Sequence, residues 1–243
     1  SLGWAVLNSL WQMALLWVIY MIVIAISKNL KNSSKSILAS GLLFAGFLWF
    51  VYTFIIVYNK IITGEAVGES VTISSGTYSW LLQSLPFISV AYLLLLTLPV
   101  LRFIRNYRYV QVIRKYGLTK INVDWKIFVR NVAARMGIKK PVQIWVSEFV
   151  SSPVTIGFLK PVILVPLAAI SHLTPHQLEA VLLHELAHIR RYDYLVNLLI
   201  NFIQTILYFN PFVKAFVKIV EREREKSCDE MVLQFQYDSH QYA

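Results

Sequence analysis

Histidines one helical turn apart can share a metal ion, and this chain has such a pair with a carboxylate beside it. His184, Glu185 and His188 spell H-E-x-x-H inside Val181 to Arg191. A helix turns about 100° per residue, so the two histidines share a face, roughly 6 Å apart along the axis. That spacing lets two imidazoles bind one zinc ion. Glu185 points to the side, where its carboxylate can reach a zinc-bound water without occupying the metal. The flanking residues read as helix. Thr174 is an N-cap candidate, Pro175 suits the first helical position, and Gln177 completes a capping box. Leu178, Val181, Leu182, Leu186 and Ile189 supply an apolar stripe for a core. Histidines at this spacing also occur as ordinary packed residues; the capped helix and the intervening glutamate favour the metal.

A zinc site of this kind takes a third protein ligand and leaves the fourth position to water. Asp193 is nearest in sequence. If the helix continues, it is rotated about 140° away from His188 and cannot turn back. It is expected instead to help position the helix or to bond to a neighbouring arginine. Glu225 and Asp229 are spaced i, i+4 and share a helix face. One can bind zinc while the other orients a ligand histidine through its free ring nitrogen. Cys228 is the single cysteine, so it cannot form an internal disulfide. With no His–Cys arrangement evident, it reads as packing. His172, His176, Tyr192 and Tyr208 are candidates to steady an oxyanion, and the sequence does not choose among them.

At these residues the chain resembles a known family. H-E-L-A-H-I-R-R-Y-D followed by R-E-R-E-K-S-C-D-E-M-V-L is similar to the BlaR/MecR-type membrane metallopeptidases, the transducer part of β-lactam sensors and their relatives. It resembles more distantly the HtpX/Ste24-type membrane proteases. The likeness runs from the first hydrophobic segment to about Leu233, and the Cys228-Asp229 pair favours the first family. The resemblance implies a gluzincin site: His184, His188 and Glu225 as ligands of zinc (Zn2+), Glu185 as general base, and Asp229 as the orienting partner. It also implies a multi-pass protein of the bacterial inner membrane that cuts a cytoplasmic protein or itself. Members that sense antibiotics carry an extracellular penicillin-binding domain after a fourth span. No Ser-x-x-Lys occurs in the chain. A sensor domain outside these residues, or a different signal, is therefore expected, and a homodimer is left open.

The elements that must position the site follow from composition. Hydrophobic residues make up 57% of the 243 and charged ones 15%, with a mean hydropathy of +0.57. Soluble domains are less apolar and more charged. Gly3 to Ile26 and Ile37 to Tyr58 are uncharged apolar runs, and Tyr78 to Phe103 is a third, interrupted by Pro86 and Pro99. Each is long enough to cross a bilayer core of about 30 Å. The first run is too long for a signal peptide and lacks its basic start. Lys28, Lys31 and Lys35 follow span one; Lys60, Glu65 and Glu69 follow span two, among the turn residues Gly64, Gly68 and Gly76; Arg102, Arg105, Arg108, Arg114 and Lys115 close span three. Loop charges of +3, −1 and +5 put the N-terminus outside and everything from about Arg105 on the cytoplasmic side. These loops carry +7 of the net charge of +10; the excess is read by where it falls, and no nucleic-acid partner is expected.

Asp124 to Met136 reads as an amphipathic helix, with Asp124 as N-cap candidate and Gly137 as stop. Val142 to Val146, Val154 to Ile156 and Val162 to Val165 read as strands. A sheet beside the active helix suits a zincin, and Pro153 to Gly157 is suggested as an edge on which a substrate strand can be laid. Tyr194 to Phe209 is short for a span, carries Asn197, Asn201 and Gln204 as a polar stripe meant to face protein, and is broken at Asn210-Pro211. The expected architecture is an α-helical integral membrane protein with a cytoplasmic α+β zincin domain. It has three spans over residues 1–115 and a zinc metallopeptidase domain over 116–243, whose segment 194–220 dips into the membrane. The expected function is a membrane zinc endopeptidase in signal transduction. A non-catalytic zinc-containing transducer and an HtpX-type quality-control protease are the alternatives.

Overall fold

The computed structural model describes residues 2–27, 29–63 and 75–240. Lys28 and the turn residues Gly64, Glu65, Gly68 and Glu69 lie outside them. In chain order the elements are α1 (Leu2–Ile26), α2 (Asn32–Thr63), α3 (Ser75–Lys115), β1 (Leu118–Thr119), α4 (Val123–Arg135), β2 (Gln143–Ser147), β3 (Val154–Ile156), β4 (Val162–Pro166), α5 (Leu167–His172), α6 (Pro175–Arg190), α7 (Asp193–Ile206) and α8 (Pro211–His240). They form two compact units: Ser1–Phe103 with Ile200–Glu223, and Ile104–Leu199 with Arg224–Ala243.

The first unit is helical and apolar. Three helices are long and apolar enough to cross a membrane: Leu2–Ile26, Asn32–Lys60 and Gln83–Ile113. The third runs further than the apolar run alone implied, because α3 continues past Phe103 and through Pro86 and Pro99 without a break. α1 buries Ala5, Ser9, Met13, Leu16 and Tyr20, one helical stripe, and leaves Trp11, Leu15, Ile19 and Ile22 exposed. Large exposed apolar side chains on such helices suit a lipid solvent. Gly46 of α2 lets the two helices approach: a Cβ there would meet Met13 Sδ at 2.6 Å. Gln12 Nε2 donates to Thr53 Oγ1 across the same pair.

The break at Asn210-Pro211 is a helix cap. The Asn210 Oδ1 accepts from the amides of Phe212 and Val213, while its Nδ2 donates to the Ser9 carbonyl at 2.9 Å. A fully buried amide is thereby satisfied on both sides. The stripe on α7 is less uniform than its spacing implied, since Asn201 is exposed.

The second unit is a mixed sheet in the order β1-β2-β4-β3. β2 and β4 are parallel, with Ile144 opposite Ile163, while β1 and β3 pair antiparallel on either side. Every residue of β4 is buried, as a central strand covered on both faces must be. Ile163 and Val165 join α4, α6 and Cys228 in one core; Val162 and Leu164 join Ile113 and Ile156 in the other. The cap of α4 is Asn122, not Asp124: the Asn122 side chain accepts from the Asp124 amide, two residues on. Gly137 ends this helix with φ +73, and its amide and that of Ile138 bond back to Ala134 and Ala133, a Schellman closure.

Candidate metal centre

α6 starts with the full capping box: the Gln177 amide donates to the Thr174 hydroxyl, and the Thr174 amide to the Gln177 side chain. Leu178, Leu182, Leu186 and Ile189 are buried and fix the rotation of the helix. That rotation turns His184 and His188 to one side, with their Nε2 atoms 3.1 Å apart. Glu225, on α8, brings Oε2 to 3.4 Å from the first and 3.6 Å from the second.

Both remaining ring nitrogens are engaged. His184 Nδ1 lies 3.1 Å from Asp229 Oδ1, and His188 Nδ1 lies 2.7 Å from Asp193 Oδ2. A neutral imidazole carries one N–H. With each Nδ1 proton directed at a carboxylate, both Nε2 atoms present bare lone pairs to each other and to a carboxylate oxygen. Three acceptors at 3.1–3.6 Å repel unless a cation lies between them. A tetrahedral zinc with bonds of about 2.0–2.1 Å sets its ligand atoms about 3.3 Å apart, so the donor set fits that ion.

Asp193 reaches His188 because α6 does not continue. It ends at Arg190, and Tyr192 adopts φ +60, a left-handed conformation that is costly for a bulky side chain. The reversal turns Asp193 back under the ring. Its carboxylate is buried and lies 3.6 Å from Arg191 Nε and 4.0 Å from Arg224 Nε. Arg191 Nη1 donates to the Ser227 hydroxyl and Arg224 Nη1 to Asn197 Oδ1. Burial works against a charged His188, but the hydrogen bond to Asp193 and the charges of Glu185, Asp193 and Glu225 outweigh it and hold its pKa above the ordinary value.

Cys228 is fully buried with Sγ 3.4 Å from His188 Nδ1 and 3.7 Å from Asp193 Oδ2. A cysteine–histidine contact is thus present where the sequence showed none. Burial, with the neighbouring Asp193 charge, pushes the thiol well up, so packing remains its role and a nucleophilic thiolate is disfavoured.

Glu185 is 8% exposed and accepts a 2.7 Å hydrogen bond from Thr155 Oγ1. Thr155 lies on β3, an outer strand of the sheet, and Pro153 to Thr155, Gly157 and Phe158 line a cleft of about 380 Å³ with both histidines, Glu185 and Glu225. Tyr192 lines it too; His172, His176 and Tyr208 do not.

The sequence pattern of the BlaR1 peptidase M56 family matches residues 10–243. The chain belongs to that family. A regulatory protein BlaR1 of Bacillus licheniformis is 38% identical over 87 residues, 36% of this chain and 14% of the relative. A methicillin resistance mecR1 protein of Staphylococcus aureus is 26% identical over 130 residues, 54% and 22% respectively. A Staphylococcus aureus regulatory protein BlaR1 is 25% identical over 145 residues, 60% and 25%. The chain therefore spans about a quarter or less of the length of these curated relatives. Family membership and three helices long and apolar enough to cross a membrane make it a membrane protein of a peptidase-like kind.

Within this BlaR1 peptidase M56 chain, the structure brings together His184, Glu185, His188, Glu225 and Asp229. The arginine partner expected for Asp193 is present in Arg191, but its contact with His188 was not foreseen, nor were the roles of Thr155 and Arg224. The signal for Asp193 is the R-R-Y-D stretch, but no glycine or proline there announces the helix end.

Proposed function

We propose that the chain is a membrane-embedded zinc endopeptidase that cuts a cytoplasmic protein, or itself, in signal transduction. The observation that carries this reading is the convergence of three lone-pair donors on one point, with both histidine Nδ1 atoms already committed to carboxylates. His184, His188 and Glu225 would hold the ion, and Asp193 and Asp229 orient the rings. Bound zinc supplies Lewis acidity toward a peptide carbonyl and toward water.

The protein's own groups do the rest. Glu185 takes a proton from the attacking water and returns it to the leaving nitrogen. The Thr155 hydroxyl, bonded to Oε2, fixes the carboxylate and leaves Oε1 as the proton carrier. The outer edge of β3 offers backbone groups to which an extended substrate can pair, laying its scissile bond across the cleft. Tyr192, at 52% exposure beside that cleft, is the candidate to meet the oxyanion.

Charge placement supports an N-terminus outside, three spans over residues 1–115 and a cytoplasmic gluzincin-like domain over 116–243, in a bacterial inner membrane. The 194–220 segment, with its cap at Asn210, lies against the apolar phase in this reading. The intact Glu185 favours catalysis over a structural zinc site, which would be closed by four ligands. The test is Glu185→Gln against wild type, with metal analysis and mass spectrometry of fragments. Zinc content should persist while cleavage of the chain or of a co-expressed substrate disappears. Unchanged cleavage in the variant removes the peptidase assignment.

A further inference from the structure

A second groove, of about 590 Å³, runs beside the first half of β2, and the chemistry above makes no use of it. Its floor is apolar, built from Ile127, Ala133, Ile138, Val142 and Ile144. Its rim is Lys126, Arg130 and Lys139, and no carboxylate lines it; the Lys140 ammonium, at one end, donates to the Phe158 carbonyl. Trp145 forms one wall, with Lys126 Nζ 5.6 Å from the ring centroid.

The groove also borders an open ladder. β1 covers only the Val146–Ser147 end of β2, pairing Thr119 and Leu118 with those two residues. Among the described residues, the stretch Gln143–Trp145 is laddered on its β4 side alone. The Gln143 amide donates to Pro161, toward β4. Backbone groups alternate along a strand, so Ile144 turns its N–H and C=O to the open side.

We propose that this groove docks an acidic, extended segment of a partner protein, which adds a strand to β2. Strand addition pairs the open backbone, and the two-residue period sends alternate side chains to different surroundings. Apolar side chains would meet the floor and carboxylates would meet Lys126, Arg130 and Lys139. A lipid headgroup would satisfy the cations but not the Ile144 amide and carbonyl. A second copy of this chain, with its net charge of +10, lacks the complementary sign.

The test uses the full chain in neutral detergent, carrying Glu185→Gln so that cleavage cannot mimic weak binding. The probe is a fluorescein-labelled octapeptide of alternating Glu and Val, read by anisotropy. Its Lys–Val counterpart should not bind, and N-methylation of alternate amides should abolish binding. Reversing two exposed rim charges, Arg130→Glu with Lys139→Glu, should raise Kd at least about tenfold, with the melting temperature unchanged. Lys140 is left alone because it also lines the catalytic cleft. Wild-type affinity in the charge-reversed protein, or equal binding of the N-methylated peptide, overturns the proposal. So does capture of phosphatidylglycerol vesicles that depends on Arg130 and Lys139 while the acidic octapeptide does not bind.

Discussion

The two histidines of the centre are supported in opposite ways. His188 leans on Asp193, whose side chain is 8% exposed and lies within 4.0 Å of Arg191 and Arg224. His184 leans on Asp229, whose side chain is 66% exposed. One ring is held by a buried, charge-balanced carboxylate, the other by one that water and salt can reach. A hydrogen bond inside the protein is less screened than one at its surface. The centre therefore has a rigid side and a compliant side, and the rigid one, with His188 and Asp193, lines the cleft.

Removing a ring should erase the difference and give the largest effect. His188→Ala and His184→Ala should each reduce bound zinc, measured by plasma emission spectroscopy, to background. Next come the supports. Asp193→Asn should weaken zinc affinity by about 10–100-fold, the usual cost of losing a partner of a ligand histidine, and should lower the melting temperature because buried Arg224 and part-buried Arg191 lose their carboxylate. Asp229→Asn should weaken affinity by less than about tenfold and leave melting unchanged. Equal losses in competition with a chelator would abolish the asymmetry.

Acid sharpens the same contrast. The His188 pKa lies above its ordinary 6.5, so a proton competes with metal to higher pH at that ring. Zinc loading should fall as pH drops through this raised value, and Asp193→Asn should move the midpoint down. In the metal-free protein the sign is reversed for folding. The raised value contributes stability that is complete below about pH 6.5 and is lost as pH rises through the folded pKa; melting temperature against pH reads it. Smallest is Thr174→Ala, expected to cost about 1 kcal/mol of stability without changing zinc affinity.

The legible parts of this molecule are those set by neighbours in sequence. The capping box at Thr174 and the apolar stripe of α6 are local, so the helix and the shared face of His184 and His188 could be read directly. Three strand runs were legible from β-branched residues. Their order was not, because the parallel pairing of β2 with β4 and the two-residue β1 are decided by contacts distant in sequence. Asp124 was read as a cap because it is acidic and precedes apolar residues, yet Asn122 takes the place by an equally local bond. The role of Asp193 was hidden for another reason. Nothing in R-R-Y-D forbids helix, and the tertiary setting holds Tyr192 at φ +60. The helix carrying Glu225 is one piece, α8, continuous from Pro211 to His240.

Cys228 gives this centre a chemical clock. It is the sole thiol in the chain, fully enclosed, and its sulfur lies against the His188 ring. The thiolate is the form that attacks an alkylating reagent, and here both burial and neighbouring negative charge hold the proton on. The rate at which iodoacetamide consumes the thiol therefore counts the moments when α8 parts from α6, with no label added and no substrate known.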